Sequence, residues 1–505
     1  MWLFQPLTGE HVVTGDNASL HMSQTGLAYR PVKKRAEKAG EMVADYSQVT
    51  RVSVHGWRRA TLRLELADGK GPWRVKGLPK AHGQWARHTI EEYMRFASWT
   101  AEETMRSPMD FAEIEGYLSE HGDDLPLLGN FLVRQAINHR ANDMELEPRR
   151  DGYAFRLRID GVIFDVGDIP ADTAGRLLRM FKNQARLKSY STETTQEGRI
   201  TLTGVDGPVD LRVTVMPGIG GEKLSIRVLN PAAQLFDLGQ LGMTDEQNRQ
   251  VSELIHQPTG AIVFCGPGGS GKTTSIYAAL QELQPHTGGR SLASIEEPVE
   301  FDLDGVSQTQ VTEGLDFAKA LSVILRQDPG VVMVGEIRDP QTAEIAMRAG
   351  MTGQLLLTTM HSASAELVIP RLLDFGVEPY MVASALSAII SQRLVRTLCD
   401  ECAKEYEPTT GDLESLGVSR DAFEGATLKM GQGCEKCHGT GYHGRTGIFD
   451  IVTVDDELSR LVMEQDITAI RQRLSGPGLM QAAVQKLRAG ETDMPEVVRV
   501  LGGAR

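Results

Sequence analysis

The chain has 505 residues, 41% of them hydrophobic and 24% charged. This is the composition of a soluble globular protein, and at ordinary sizes it holds about three or four domains. The formal net charge of −14, from 53 Lys and Arg against 67 Asp and Glu, argues against a protein that coats nucleic acid indiscriminately, because such binding rests on neutralising phosphates.

No apolar run approaches the roughly 18–20 residues needed to cross a bilayer. Met1-Trp-Leu-Phe-Gln-Pro has no basic segment leading into an apolar one, so no secretion signal is read. The expectation is a cytoplasmic protein, held at a membrane only through a partner.

Residues 1–115 form a divergent N-terminal domain. Alternation in Arg59–Leu66 predicts a strand and Thr89–Glu103 a helix. The basic cluster Arg30-Pro-Val-Lys-Lys-Arg-Ala-Glu-Lys38 reads first as a solvated face and second as a binding patch.

Residues 116–235 read as α+β. A helix at Leu127–Arg140 precedes strands at Tyr153–Ile159, Gly161–Val166, Arg199–Thr203, Val209–Val215 and Lys223–Val228, with an amphipathic stretch at Thr173–Leu187. Asp160-Gly161 and Gly220-Gly221 supply hairpin turns. Asn230 to about Gly242 reads as a linker.

Residues 236–395 alternate strands and helices, the pattern of a parallel sheet with crossover helices. The apolar run Ala261-Ile-Val-Phe-Cys265 enters Gly266-Pro267-Gly268-Gly269-Ser270-Gly271-Lys272-Thr273-Thr274, and a helix follows to Leu283. In this pattern the glycines let backbone N–H groups turn around phosphate oxygens. Lys272 reaches the β- and γ-phosphates and the Thr273 hydroxyl completes a Mg²⁺ shell. The chain therefore binds a nucleoside triphosphate.

Two further strands end in carboxylates, Leu292-Ala-Ser-Ile-Glu296-Glu297-Pro-Val-Glu300 and Val331-Val-Met-Val-Gly335-Glu336-Ile-Arg338-Asp339. Such strand ends converge on the ligand crevice of a parallel sheet, where carboxylates hold Mg²⁺ and orient water. A fourth, Thr352-Gly-Gln-Leu-Leu-Leu-Thr-Thr-Met-His361, ends in a histidine that is either a γ-phosphate sensor or a structural residue.

Cys399, Cys402, Cys434 and Cys437 make C-x2-C-x31-C-x2-C within residues 396–450. Paired knuckles present four thiolates to a structural Zn²⁺, the alternative being redox-active pairs. His438 and His443 are the nearby substitutes as ligands. Cys265 reads as a buried apolar residue. Residues 451–505 form a helical C-terminal region.

Taken in order, GPGGSGKTT, SIEEPVE, VVMVGEIRD and TGQLLLTTMHS resemble the phosphate loop, acidic box, Walker B and histidine box of the secretion ATPases of type II secretion and type IV pilus assembly. The four-cysteine segment resembles the assembly motors rather than the retraction motors. The resemblance runs from about residue 125 to the C-terminus. It implies an α/β fold, with a RecA-like P-loop NTPase domain preceded by an α+β, PAS-like cap domain and followed by a small zinc-binding segment and a helical tail.

It also implies that the cap meets the nucleotide of its own or a neighbouring subunit through arginines. The matching residues are Arg199, Arg212 and Arg227, with solvent-facing strand arginines as the alternative. Planar guanidinium groups suit the charge that gathers on a transferring phosphoryl group. The chain departs from the family in having Glu297 where Asp is usual, Gly330 where an acidic residue is more common, and Ser362-Ala-Ser after His361. Its first hundred residues do not match the usual N-terminal domains.

The expected protein is a homo-hexameric ATPase using ATP, Mg²⁺ and Zn²⁺ to power pilin or pseudopilin polymerisation against an inner-membrane platform protein, without nucleic acid. In it Lys272 neutralises phosphate, Thr273 binds Mg²⁺, Glu336 polarises water, and Glu296, Glu297 and Glu300 support the metal shell. A nucleic-acid motor with the same core, and a non-hydrolytic nucleotide sensor, are the alternatives.

Overall fold

The computed structural model describes seven short strands between residues 11 and 79, and residues 125–502 apart from 205–206, 230–236, 285–289 and 477. The chain divides into two compact units, Met1–Ala232 and Ala233–Arg505.

The first unit opens with a four-stranded and a three-stranded antiparallel sheet. The predicted strand Arg59–Leu66 is the central one of the three. Its alternation buries Leu62 and Leu64 completely, as it does Val75 on the neighbouring strand. The predicted helix Thr89–Glu103 lies outside the described residues, as does the basic cluster beyond Pro31.

Residues 125–229 build a six-stranded antiparallel sheet, in the order Val162–Ile169, Gly152–Ile159, Asp143–Arg149, Gly221–Leu229, Gly207–Gly218 and Gln196–Gly204. Helices Leu125–Asn138 and Ala171–Gln184 pack on it. Leu128, Leu132, Leu177 and Phe181 meet Phe155, Leu157, Val213 and Ile226 in one core. Each such side chain contributes roughly 1.5–3 kcal/mol by leaving water. The hairpin at Asp160-Gly161 has both residues at positive φ, 48° and 84°, as a tight turn between twisted strands requires.

The strand Asp143–Arg149 was not legible in the sequence, and it completes a cross-strand row. Arg199 pairs with Arg212, Arg212 with Arg227, Arg227 with Asp143, and Asp143 with Arg158. Like charges directly opposite one another on a sheet repel. Here carboxylates intervene: Asp210 takes Arg199, Glu197 takes Arg212 at 3.1 Å, and Asp143 takes Arg227 at 2.9 Å and Arg158 at 3.3 Å.

The second unit is built on a seven-stranded sheet, ordered Val306–Gln310, Leu292–Glu296, Val331–Val334, Leu355–Met360, Gly260–Cys265, Leu386–Leu398 and Tyr442–Thr453. All neighbours are parallel except the last pair. The strands Gly260–Cys265, Val331–Val334 and Leu355–Met360 are buried at every residue, as covering helices on both faces demand.

The cysteine knuckles occupy the excursion between the antiparallel strands Leu386–Leu398 and Tyr442–Thr453. Four helices follow. Asp456–Glu464 and Ile467–Leu474 join the main core, while Gly478–Arg488 and Met494–Leu501 cover a second core around Leu413, Phe423 and Ile448. No helix among the described residues is long and apolar enough to cross a membrane.

Candidate functional site

The strand Gly260–Cys265 runs into the loop Gly266–Gly271, and the helix Lys272–Leu283 starts at once. Gly266 has φ 154°, and a Cβ there would lie 2.5 Å from the Gln392 carbonyl oxygen. Gly271 is left-handed, and its Cβ would lie 2.7 Å from Gln392 Nε2. Both ends of the loop are thus pressed against one residue of the adjacent strand, while Gly268 and Gly269 face open space. The helix N-terminus has no side-chain cap. Its N–H groups and dipole suit an anion.

The Ser270 hydroxyl is buried without a hydrogen-bond partner in the protein, which marks a place for a ligand acceptor. Lys272 is 7% exposed, and its Nζ donates to the carbonyls of Gly266 at 2.9 Å and Pro267 at 3.0 Å. Burial pushes this ammonium below its usual range, against the pull of Cys265 and Glu336. Thr273 is exposed and Thr274 half-buried at the mouth of the loop. These residues fit a phosphate chain with its divalent cation.

The carboxylates separate into two kinds. Glu296 is turned inward and is 2% exposed. It accepts from Tyr277 Oη on the phosphate-loop helix, from Ser294 Oγ, and from Gln308 Nε2 at 3.1 Å. It thereby braces the helix against the sheet, and burial, joined by the negative charge of Glu296, pushes the Tyr277 hydroxyl well above the usual tyrosine range. The Tyr277 hydroxyl in turn accepts from the Glu300 backbone N–H at 3.3 Å.

Glu297 and Glu336 instead share Arg338, which reaches Glu297 at 2.5 Å and also holds Glu336. The second oxygen of Glu336 lies 3.4 Å from His361 Nε2. The loop carrying Glu336 is pinned on both sides: Gly335 N–H donates to Ile295 O, Thr359 Oγ1 to Gly335 O, and Ile337 N–H to Thr359 O. The structure therefore brings Glu297, Glu336, His361 and Arg338 together just past the ends of the strands Leu292–Glu296, Val331–Val334 and Leu355–Met360, the last of which adjoins the strand that feeds the phosphate loop. The arginines Arg199, Arg212 and Arg227 form their row in the first unit.

Two of the departures have visible compensations. The longer Glu297 is held by Arg338. At Gly330 the stem of Arg290 lies over the backbone, so that a Cβ would fall 2.3 Å from Arg290 Cβ. An acidic side chain does not fit there while Arg290 is present.

Sequence reasoning missed Tyr277, Arg338, Gln392 and Arg393. Arg338 lay within a quoted motif without a role. Gln392 and Arg393 were signalled only by a polar pair interrupting the apolar strand Leu386–Leu398. Gln392 is 2% exposed and accepts from Ser275 Oγ at 2.9 Å, fastening that strand to the phosphate-loop helix.

The four cysteine sulfurs lie within 4.8 Å of one another. The pairs Cys399–Cys434, Cys402–Cys437 and Cys434–Cys437 stand 3.7 Å apart. A zinc tetrahedron with bonds of about 2.3 Å has sulfur–sulfur edges of about 3.8 Å. The cluster thus fits Zn²⁺, and neither His438 nor His443 belongs to it. Burial raises the Cys399 thiol to about 12. At Cys437 burial also opposes ionisation, but the N–H groups of Cys434 and Gly441, 3.1 and 3.2 Å from its sulfur, bring it down to about 7. These backbone donors favour a thiolate ligand.

Residues 120–499 match the family model described as Type II/IV secretion system protein. The type II secretion system protein E of Pseudomonas aeruginosa is 39% identical over 391 residues, covering 76% of this chain and 77% of that one. The type IV pilus assembly ATPase PilB of Thermus thermophilus is 34% identical, over 80% of this chain and 45% of its own length. Among solved structures, the pilus retraction motor PilT with bound ADP has a TM-score of 0.50 at 23% identity, covering 73% of this chain and 95% of its own. The Legionella pneumophila ATPase DotB reaches 0.54 at 18% identity, covering 74% and 94%. These two likenesses show the fold alone, an α/β unit on a parallel sheet. With three quarters of its length matched, the chain belongs to the type II/IV secretion system protein family of secretion and pilus motor ATPases.

Proposed function

We propose that the chain hydrolyses ATP as a Mg²⁺-dependent hexamer and that hydrolysis drives pilin or pseudopilin polymerisation at the cytoplasmic face of an inner membrane. One observation carries this reading. A phosphate loop with an uncapped helix N-terminus and a buried lysine stands beside a carboxylate, Glu336, oriented by Arg338 and His361.

In this reading Lys272 and the loop N–H groups bind the phosphate chain. Thr273, with Glu297 and Glu300, would hold Mg²⁺, which supplies charge neutralisation on the β- and γ-oxygens when bound. Glu336 orients the attacking water and accepts its proton, and His361 steadies that carboxylate. Glu296 acts through packing, since its oxygens are taken by Tyr277, Ser294 and Gln308. Arg199, Arg212 and Arg227 stabilise charge on the transferring phosphoryl group of the same or a neighbouring subunit. Zn²⁺ at Cys399, Cys402, Cys434 and Cys437 is structural, because four protein ligands leave no open position. A membrane platform protein is the proposed partner.

The test is turnover of ATP with Mg²⁺ by the purified chain, with and without DNA or RNA. Hydrolysis indifferent to nucleic acid supports a secretion motor. Strong stimulation by DNA or RNA points to a nucleic-acid motor, and absence of turnover to a nucleotide sensor.

A further inference from the structure

Arg393 lies on the strand Leu386–Leu398, beside the strand that feeds the phosphate loop. Cys265 pairs with Ser391, so the register brings Gln392 and Arg393 alongside the start of the loop. The guanidinium is half-buried. Its Nη1 donates to the Gln392 carbonyl at 2.9 Å, and its Nη2 donates to the carbonyl of Ala363, in the loop just after His361. A Cβ on Gly266 would lie 3.2 Å from Nη1. The guanidinium therefore lies over the first glycine of the phosphate loop and spans from there to the histidine-bearing loop.

What this cation lacks is an anion. Its hydrogen-bond partners are two neutral carbonyls, and among the described residues no carboxylate pairs with it. Withdrawing a guanidinium from water without an opposite charge is costly, and an arginine does not escape the cost by losing its proton. Lys272 bears on the same point. Burial lowers its ammonium most strongly, and the positive charge of Arg393 adds to that effect. Two cations beside one loop repel each other until an anion lies between them. The unpartnered Ser270 hydroxyl and the uncapped helix N-terminus mark the same loop as the anion's place.

We propose that Arg393 senses the terminal phosphate of a bound nucleoside triphosphate from within the same subunit and transmits its presence to the loop carrying His361. A guanidinium has donors to spare after two carbonyl bonds, and its planar fork matches phosphate oxygens. When the γ-phosphate is gone, the guanidinium returns wholly to the Gln392 and Ala363 carbonyls. The position of the loop around His361 then reports which nucleotide is bound. The alternative is that Arg393 only staples the two loops together.

This inference rests on the ATPase reading, and the experiment separates the two. The full chain binds ADP and the non-hydrolysable analogue AMP-PNP, each with Mg²⁺, in wild type, Arg393→Gln and Arg393→Lys. Thermal unfolding and zinc content serve as folding controls. Arg393→Gln is expected to weaken AMP-PNP binding by at least about tenfold, the worth of a charge-assisted hydrogen bond, and to change ADP binding by less than about twofold. Arg393→Lys keeps the charge without the fork and should recover part of the loss.

Equal weakening of both nucleotides, or no change in either, overturns the proposal and leaves a structural staple. If Arg393→Gln fails to fold, the ratio measured for Arg393→Lys decides by the same criterion. A wild-type chain that binds neither nucleotide contradicts the ATPase reading itself.

Discussion

Lys272 and Glu336 differ in what they touch, and their loss should separate binding from chemistry. Lys272 is folded into the loop it serves, so Lys272→Ala removes the cation and the hydrogen bonds to Gly266 and Pro267 together. Nucleotide affinity and turnover should both fall, turnover by about 10²–10³-fold, as seen when one fixed transition-state donor is removed. Glu336→Gln keeps the shape of the side chain but not its basicity. Nucleotide binding should survive while turnover drops by about 10²–10⁴-fold. Equilibrium binding beside single-turnover rates checks both, and a Glu336→Gln protein of wild-type rate would remove Glu336 from the water-activating role. The phosphate loop and the carboxylate Glu336 were legible because each is written in adjacent residues. Arg393 was not, because it lies more than a hundred residues downstream of the loop and only the sheet brings it there.

At the scale of elements, the informative piece is the strand Leu386–Leu398. One part of it carries Gln392 and Arg393 against the phosphate loop, and its end delivers Cys399 to the four-cysteine cluster. Between them Arg396 binds Glu496 of the helix Met494–Leu501 through both its backbone N–H and its guanidinium, and stacks 3.8 Å over the Tyr442 ring. Glu496 is fully buried, and burial alone would raise its carboxyl. The hydrogen bonds from Arg499 and Arg396 outweigh that and hold it below its ordinary 4.5.

Because the folded value is depressed, this contribution to stability is present above the ordinary glutamate value and lost as pH falls through the folded one. Glu496→Gln should therefore cost about 3 kcal/mol near neutral pH, the scale for breaking a buried ion pair, and progressively less below about pH 4.5. Urea unfolding of both proteins across that range checks the sign. Cys→Ser at any of the four knuckle positions should lower zinc content from one per chain to none and reduce thermal stability. Nucleotide binding should persist in the folded fraction, because a closed four-thiolate site supplies folding energy and no chemistry.

Strand legibility followed the same logic as residue legibility. Arg59–Leu66 alternates cleanly and was read directly. Asp143–Arg149 also alternates, with Met144 and Leu146 buried, but its three carboxylates and Pro148 have low strand propensity and hid it.

At the scale of the whole molecule, the proposed hexamer raises the question of which subunit's arginine row would complete a site. Arg199, Arg212, Arg227 and Arg158 are held in register by sheet pairing and restrained by Asp210, Glu197 and Asp143. Such a row is a poor choice for stability and a good one for meeting phosphate. If its arginines act across subunits, neither Arg227→Ala nor Lys272→Ala protein turns over ATP alone. Mixed rings, however, contain some sites with both groups intact.

The most direct measurement is the ATPase rate of such a mixture, taken across a dilution series with ring assembly followed by light scattering. Arginines supplied by a neighbouring subunit predict activity above that of either parent, arginines supplied within the subunit predict no such recovery, and a ring motor predicts specific activity that falls as rings dissociate. Activity independent of dilution in a verified monomer would contradict it.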